Sequence, residues 1–254
     1  MKLGAQLFSL RTECDTPEKL YGTMKKMKEI GYDAVQASAI CEIEGARLRS
    51  YIDELSLPVL CTHRPFDEIV NNTKKSIEFH KAIGCPVVGL GAMPVEFHGT
   101  FEGLTGFLNA IKEPVKMIRD AGLTFAYHNH AFEFDTLENG VTAYDYLIEE
   151  APDINFIHDV YWSFYAGKSP EEYIRKIAAL GRITDIHFKD MKTAPKGEIC
   201  PCGDGIMDFA ALANVCREVG VKNVYVEQDN APMLGDVFEQ MERSYRHLCP
   251  IVKK

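Results

Sequence analysis

Short apolar segments alternate along the chain with longer amphipathic segments. Apolar runs of about four to eight residues predict buried strands, whereas apolar positions spaced three or four residues apart predict helices. After the first run, Leu20, Met24 and Met27 share one helical face, with Pro17 near the start and Gly31 at the end. The pattern predicts eight strands, over residues 2–8, 33–38, 58–63, 85–92, 123–130, 154–162, 183–191 and 223–229.

Each predicted strand is followed by a predicted helix. Ser169, Pro170 and Glu172, for example, form a capping box with proline at the first helical position. Alternating strand–helix units predict a parallel sheet, and eight of them favour a closed barrel over an open doubly wound sheet. No glycine-rich dinucleotide motif follows the first strand. We therefore predict one α/β domain over residues 1–254, a single-domain (β/α)8 TIM barrel.

Composition narrows the class of protein. The 254 residues are 46% hydrophobic and carry a formal net charge of −9. The negative charge argues against a nucleic-acid partner, because a protein surface that binds nucleic acid needs a basic patch. No apolar run approaches the roughly 20 residues of a membrane span, and MKLGAQLF resembles a strand rather than a signal peptide. Eight cysteines in a chain of this length do not indicate a disulfide framework. We expect a cytoplasmic protein with free thiols and no membrane partner, and a homo-oligomer is compatible with the sequence.

Polar residues collect at the carboxyl ends of the predicted strands, the face where barrel enzymes carry their active sites. The two longest loops, residues 94–103 and 192–205, also leave strands at this face. Imidazole and carboxylate groups from adjacent strands can converge on one divalent metal ion such as Mn²⁺, Zn²⁺ or Mg²⁺. The candidate residues are Arg11, Gln36, His63, His128, His130, Glu133, Asp159, Trp162, His187, Lys189 and Glu227.

Most of these residues also have a structural interpretation when each is taken alone. A lone histidine on a strand is more often a buried, hydrogen-bonded residue than a ligand. Arg11, His63 and Trp162 fit either a substrate contact or a structural role. Lys189 could be catalytic, because it shares a strand face with His187, or it could pair with a neighbouring carboxylate. The recurrence of such groups on four neighbouring strands, the fifth to the eighth, favours a functional site.

Five motifs give the chain a resemblance to a known family. They are YHNHAFEF at 127–134, DVYW at 159–162, GRITDIHFKDM at 181–191, CGDG at 202–205 and VEQD at 226–229. Together they resemble the sugar phosphate isomerase/epimerase family, the xylose-isomerase-like TIM barrels, and within it a branch with a YHNHxxEF motif. The same superfamily contains the endonuclease IV type of AP endonuclease. The resemblance covers nearly the whole chain and is specific to the family rather than to a substrate.

The resemblance implies a single divalent metal ion held from strands five to eight. Asp159, His187 and Glu227 match three of the family's ligands. The ligand from strand five stays open between two residues. The preference of a hard cation for oxygen favours Glu133, whereas strand alternation favours His128. We predict Glu133 as this ligand, with His128 as the alternative.

The resemblance also implies a reaction, namely proton abstraction next to the carbonyl group of a small carbohydrate. Glu227 and either His128 or Glu133 are the predicted bases, His130 is a further predicted catalytic residue, and Lys189 is the predicted acid or oxyanion partner. The leading prediction is a metal-dependent isomerase or epimerase. The alternative is a lyase or dehydratase that acts on a keto-sugar or keto-inositol through the same site. An AP endonuclease and a sugar-binding barrel without catalysis are remote alternatives. Predicted substrate contacts are made by Arg11, Gln36, His63 and Trp162.

Overall fold

Eight parallel strands close into a barrel in the computed structural model, which describes residues 1–194 and 196–254. Around the ring, the strands follow the chain order, and the last strand pairs with the first. The barrel strands are β1 (Lys2–Gln6), β2 (Ala34–Ser38), β3 (Val59–His63), β4 (Val87–Leu90), β5 (Thr124–His128), β6 (Asn155–Asp159), β7 (Ile183–Phe188) and β10 (Asn223–Val226). The predicted TIM barrel is confirmed.

Helices surround the barrel. They are α1 (Pro17–Ile30), α2 (Gly45–Leu55), α3 (Phe66–Asn71), α4 (Thr73–Ile83), α5 (Phe101–Asp120), α6 (Ala143–Glu150), α7 (Val160–Tyr165), α8 (Pro170–Ala179), α9 (Phe209–Glu218) and α10 (Val237–Val252). Sequence caps set several of the ends. Thr16 accepts a hydrogen bond at the start of α1, Ser169 caps α8 as predicted, and Gly31 ends α1 with a φ of 116°. Among the described residues, no helix is both long and apolar enough to cross a membrane.

Apolar side chains fill two regions, one between the helices and the sheet and one inside the barrel. The outer region includes Leu20, Met24 and Met27 of α1, the face that the sequence predicts. The inner region is smaller than the outer one. It includes Ala34, Cys61, Val87, Ala126, Ile157 and Tyr225. All eight cysteines are described, and each carries a free thiol.

Three predicted elements differ from the structure. The sixth strand was predicted to reach Trp162, but it ends at Asp159 and α7 begins at Val160. The reason is a cap, since Oδ1 of Asp159 accepts hydrogen bonds from the backbone N–H groups of Tyr161 and Trp162. The third predicted helix, residues 67–84, is interrupted between α3 and α4 at Asn72. The seventh predicted strand also divides, into β7 and a short hairpin formed by β8 (Asp190–Met191) and β9 (Ile199–Cys200).

Candidate metal centre

The inward-facing layer at the carboxyl ends of the barrel strands is almost entirely polar. Strand alternation explains why, because each strand points every second side chain inward, and an inward position at or near the end of each strand lies close to this level. Strand β4 contributes Gly89 to this layer, and a side chain at that position would collide with the backbone of Thr62. The other positions of the layer are Gln6, Gln36, His63, His128, Asp159, His187 and Glu227.

Four residues of this layer form one compact cluster. His128, Asp159, His187 and Glu227 each offer a ligand atom, and these atoms all lie within 4.8 Å of one another. Nε2 of His128 is 3.4 Å from Oδ2 of Asp159 and 3.7 Å from Oε2 of Glu227. Nδ1 of His187 is 2.8 Å from the same Glu227 oxygen. All four side chains are buried, so their interactions are weakly screened by solvent.

Hydrogen bonds on the far side of each imidazole orient the two histidines. The carbonyl oxygen of Gly91 accepts from Nδ1 of His128 at 3.0 Å, and Oε1 of Gln36 accepts from Nε2 of His187 at 2.6 Å. These oxygens only accept, so each holds a proton on the nitrogen that it faces. The other nitrogen of each ring therefore presents its lone pair to the carboxylates. Metal-binding histidines have this arrangement.

These groups fit a divalent cation. In the orientation just described, a lone pair of His187 faces a carboxylate oxygen at 2.8 Å, and two acceptors at that distance require a cation or a proton between them. Nε2 of His128 is buried without a hydrogen-bond partner among the described residues. Two imidazoles and two carboxylates are ligands that suit Zn²⁺ or Mn²⁺. The chemistry of the four donors therefore supports a metal site.

Lys189 lies directly beside this cluster. Its Nζ is 3.0 Å from Oε2 of Glu227, 3.1 Å from Oδ2 of Asp159 and 3.1 Å from Oδ2 of Asp229. The side chain is 1% exposed, and the ammonium lies 5.1 Å from the ring centroid of Trp162. Lys189 thus contacts three carboxylates at once, two of which belong to the cluster.

The charges in the cluster offset the cost of burial. Burial raises the pKa of Asp159, but the ammonium of Lys189 and the nearby imidazole of His128 lower it to about 2. The pKa of Glu227 is likewise held well below its usual range, because Lys189 and His187 outweigh burial. Burial lowers the pKa of Lys189, yet the three neighbouring carboxylates raise it well above its usual value. These groups are charged at neutral pH.

The two histidines of the cluster respond differently to the same surroundings. Burial lowers the pKa of His187, and the net shift is downward despite the charge of Glu227. Burial also lowers the pKa of His128, but the neighbouring carboxylates of Asp159 and Glu227 outweigh burial, and the pKa of His128 is raised. The cluster can therefore hold a proton at His128, and a metal ion bound there would compete with that proton.

The octet YHNHAFEF contains one residue of the cluster and several residues that hold the cluster in place. His128 is the residue that β5 contributes to the cluster. Glu133 is buried outside it, in the turn Phe132–Phe134, where its carboxylate accepts hydrogen bonds from Tyr127 and from the backbone N–H of His130. Both oxygens of Glu133 are thus engaged in holding the turn. The geometry therefore favours His128, the alternative, over Glu133 as the ligand from strand five.

Asn129 of the octet joins β5 to β6. Its Oδ1 accepts a hydrogen bond from the backbone N–H of Asp159 at 2.9 Å. This contact fixes the residue whose side chain enters the cluster from the neighbouring strand. The polar density of the octet follows from these roles, since Tyr127, Asn129 and Glu133 position the groups that His128 and Asp159 present.

A cavity of about 1380 Å³ opens above the cluster. Glu227 and His128 lie in its wall, together with the predicted residues Arg11, His63 and His130. Burial holds the pKa of His130 at about 3, so its imidazole is neutral. The volume exceeds that of a small carbohydrate and leaves room for a larger substrate or for ordered water.

The predicted substrate-contact residues have different positions. Arg11 donates hydrogen bonds to the backbone oxygens of Phe8 and Asp229, which places its guanidinium at the cavity edge. His63 lies with its ring centroid 4.9 Å from that of His128. Gln36 is bound to His187 and buried, and Trp162 lies over Lys189 outside the described cavity wall. Gln36 and Trp162 therefore contact site residues.

Three site residues were missed by the sequence analysis. Gln6 donates a hydrogen bond to Oε1 of Glu227 at 2.9 Å, and its strand position is the signal that could have found it. Asp229, the last residue of the VEQD motif, supplies the third carboxylate oxygen that contacts the ammonium of Lys189. Asp190 accepts four backbone hydrogen bonds, and its partners are Met191, Gly203, Gly205 and Met207.

Asp190 explains the CGDG motif. Its buried carboxylate gathers the N–H groups of the loop after β9 into one anion-binding turn, which holds the loop against the end of β7. A side chain at Gly205 would collide with this carboxylate, so the position requires glycine. The loop therefore fixes the chain immediately after Lys189.

Comparison with known families agrees with this geometry. A family model described as a xylose isomerase-like TIM barrel matches residues 24–248. None of the curated proteins that were compared matches the chain.

Solved structures share the fold across almost the entire chain. A sugar phosphate isomerase/epimerase from Parabacteroides distasonis ATCC 8503 has a TM-score of 0.83 at 20% identity, with 99% of this chain and 100% of that chain covered. The probable 3-DHS dehydratase AsbF involved in petrobactin synthesis, from Bacillus anthracis, has a TM-score of 0.75 at 12% identity, with 98% and 99% covered. The IolI protein with a bound zinc atom has a TM-score of 0.74 at 16% identity, with 100% and 98% covered.

Proposed function

Because the chain belongs to the xylose isomerase-like TIM barrel family, we propose that it is a metal-dependent isomerase or epimerase of a small carbohydrate. The reaction would begin with removal of a proton from the carbon next to a carbonyl group. Solved proteins of this fold include a sugar phosphate isomerase/epimerase, a probable dehydratase and the zinc-binding IolI protein. Those properties belong to the neighbours, so the proposal for this chain rests on its own residues.

One observation carries the proposal. The two histidines of the cluster are held by Gly91 and Gln36 so that their lone pairs face the carboxylates of Asp159 and Glu227. This orientation serves metal ligation, and the cluster opens into the cavity through His128 and Glu227. A divalent ion bound there supplies Lewis-acid polarisation of a carbonyl oxygen.

Glu227 is the proposed base. Gln6 holds one of its oxygens, while the other lies at the cluster and faces Lys189. Its low pKa keeps it ionised, so it can accept a proton. Lys189 is the proposed partner of the negative charge that develops on the substrate oxygen, since a buried ammonium is a strong electrostatic stabiliser.

His130 is the proposed second acid/base group. It lies in the cavity wall after β5, and β5 and β10 are separated around the ring by two strands, β6 and β7. A substrate bound between them would present one face to Glu227 and the other toward His130. Neutral imidazole is able to exchange a proton there. Arg11 and His63 would contact the substrate from the cavity wall.

A lyase or dehydratase is the second candidate. Elimination starts with the same proton abstraction and then requires an acid for the departing oxygen. The position of Lys189 favours this candidate, because its protonated ammonium lies 3.0 Å from Oε2 of Glu227, the proposed base. The product distinguishes the two reactions, since elimination leaves a carbon–carbon double bond.

The proposal is tested by exchange of a carbon-bound proton with solvent. The Mn²⁺-loaded protein is incubated in D₂O with a panel of keto-sugars, and NMR measures deuterium next to the carbonyl group. We expect incorporation that stops when the metal is chelated, and an isomer, epimer or unsaturated product. Absence of exchange with every sugar, while Mn²⁺ stays bound to the protein, would contradict the proposal.

A further inference from the structure

The ammonium of Lys189 contacts the same two oxygens that face the histidine lone pairs. Oδ2 of Asp159 lies 3.1 Å from Lys189 Nζ and 3.4 Å from Nε2 of His128. Oε2 of Glu227 lies 3.0 Å from the ammonium and 2.8 Å from Nδ1 of His187. A divalent ion held by the four cluster residues would use these oxygens too. Two cations that share oxygens in a buried site repel each other, so each weakens the binding of the other.

Asp229 differs from the other two carboxylates around Lys189. Its Oδ2 lies 3.1 Å from Nζ, but it is not among the four residues that form the cluster. Its side chain is 28% exposed and lines the cavity, whereas Asp159 and Glu227 are buried. Asp229 therefore offers the ammonium a carboxylate that a metal ion in the cluster does not need.

We propose that Lys189 is a resident counter-cation of the metal centre, which a divalent ion displaces from Asp159 and Glu227 onto Asp229. In this arrangement Lys189 lowers the affinity of the site for metal, and Asp229 restores part of it by receiving the ammonium. Lys189 also stabilises the ion-free protein, because it compensates buried carboxylates that would otherwise repel each other. The inference rests on the proposed metal site and concerns its occupancy rather than the reaction.

Substitutions of the two residues have opposite expected effects. Lys189→Met removes the competing charge and keeps an apolar side chain of similar length, so Mn²⁺ should bind at least about tenfold more tightly. Asp229→Asn leaves the ammonium no carboxylate outside the cluster, so Mn²⁺ should bind more weakly. In the double variant the effect of Asp229→Asn should nearly vanish, because it acts through Lys189.

The thermal stability of the ion-free protein gives an independent measure. Lys189→Met should lower the melting temperature without metal, and the rise in melting temperature on adding Mn²⁺ should be larger than in the original protein. A lysine that merely held the ligands in place would give the opposite result for affinity, with weaker Mn²⁺ binding after its removal. Affinity and stability must therefore move in opposite directions.

The experiment is a titration of the ion-free variants with Mn²⁺, in which electron paramagnetic resonance measures the free ion. Lys192→Met is the matched control, because it removes an exposed positive charge that pairs with Glu198 near the same strand end, and its affinity should stay unchanged. If Lys189→Met does not fold, Lys189→Gln removes the charge while keeping a hydrogen-bond donor.

The outcomes separate the inference from the proposed function. Tighter binding in Lys189→Met, with Asp229→Asn weaker and the double variant close to Lys189→Met, supports the inference. Equal or weaker binding in Lys189→Met, when the original protein binds Mn²⁺, overturns the inference and leaves the proposed metal site intact. Absence of Mn²⁺ binding in both the original protein and Lys189→Met overturns both.

Discussion

The pKa of a buried carboxyl group shifts in opposite directions at the two ends of the barrel interior, the mouth at the carboxyl ends of the strands and the floor at their amino ends. At the mouth, Asp159 and Glu227 lie within 3.1 Å of the Lys189 ammonium, and their pKa values are lowered. At the floor, Asp185 accepts a hydrogen bond from the neutral amide of Asn223, and burial raises its pKa to about 6. No cationic side chain among the described residues pairs with it.

The floor carboxyl group and the cation of the mouth come from one strand and its end. Asp185, His187 and Lys189 occupy alternating positions at β7, so all three point into the barrel at successive levels. The comparison shows that burial without a cation raises the pKa of the Asp185 carboxyl group, whereas the ammonium of Lys189 lowers the pKa of Asp159 and Glu227 despite their burial. Asp159 and Glu227 therefore stay ionised to lower pH than Asp185, and their negative charges are available to a metal ion.

The largest expected effect comes from removing the base at the mouth. Glu227→Gln keeps the shape of the side chain but cannot accept a proton, so exchange of the carbon-bound substrate proton should slow by about 10² to 10⁴-fold. NMR in D₂O measures the exchange, and metal content is determined in the same sample. Exchange at the original rate with metal still bound would show that Glu227 is not the base and that His128, His130 or Lys189 removes the proton.

Asp190 sharpens the comparison, because backbone N–H groups rather than a cation hold this buried carboxylate. Asp190→Ala should leave four backbone N–H donors, two of them in the CGDG motif, without their acceptor and lower the free energy of unfolding by about 3 to 5 kcal/mol. Urea denaturation measures the change. A loss below about 1 kcal/mol would mean that water replaces the carboxylate at little cost.

Asp185 tests the floor through pH. Its pKa is about 6 in the folded protein against 3.8 for the free side chain, so the folded state binds more protons between these values. Stability therefore falls as pH rises through that window, at about 1.4 kcal/mol for each pKa unit. Asp185→Asn should raise the free energy of unfolding by up to about 3 kcal/mol at pH 7.5 and change it little at pH 4.

The control for the floor is Asp67→Asn, which changes an exposed carboxylate. Urea denaturation of both variants at pH 4 and at pH 7.5 gives the comparison. If Asp185→Asn gave the same stability change at both pH values, the carboxyl group of Asp185 would be equally solvated in the folded and unfolded protein. The contrast between mouth and floor would then fail.

The smallest expected effect concerns the orientation of a ligand. Gln36→Met removes the acceptor that holds the proton on Nε2 of His187, while the four cluster residues stay in place. Loss of such a contact weakens metal binding by about 10 to 100-fold. Mn²⁺ titration measures the affinity, and unchanged binding would show that the barrel wall alone orients His187.

The sequence determined the barrel and most of the residues of the site. Period-two and period-3.6 patterns are local, so they identified all eight strands and the face on which Leu20, Met24 and Met27 pack. Strand alternation also placed His187 and Lys189 on one face. The ends of elements were harder, because the boundary after Asp159 depends on a side-chain cap rather than on hydrophobicity.

Only the tertiary structure decided which polar residues of the site are candidate metal ligands, which hold those ligands in place, and which supply a counter-charge. Within the octet, local sequence cannot say that Glu133 turns back to Tyr127 while His128 faces Asp159, because the partners come from a turn and from a different strand. Gln36 and Lys189 act likewise on residues far away in sequence. The physical reason is that hydrogen bonds and charge pairs in a closed barrel form between side chains that only the closure of the sheet brings within a few ångströms of each other.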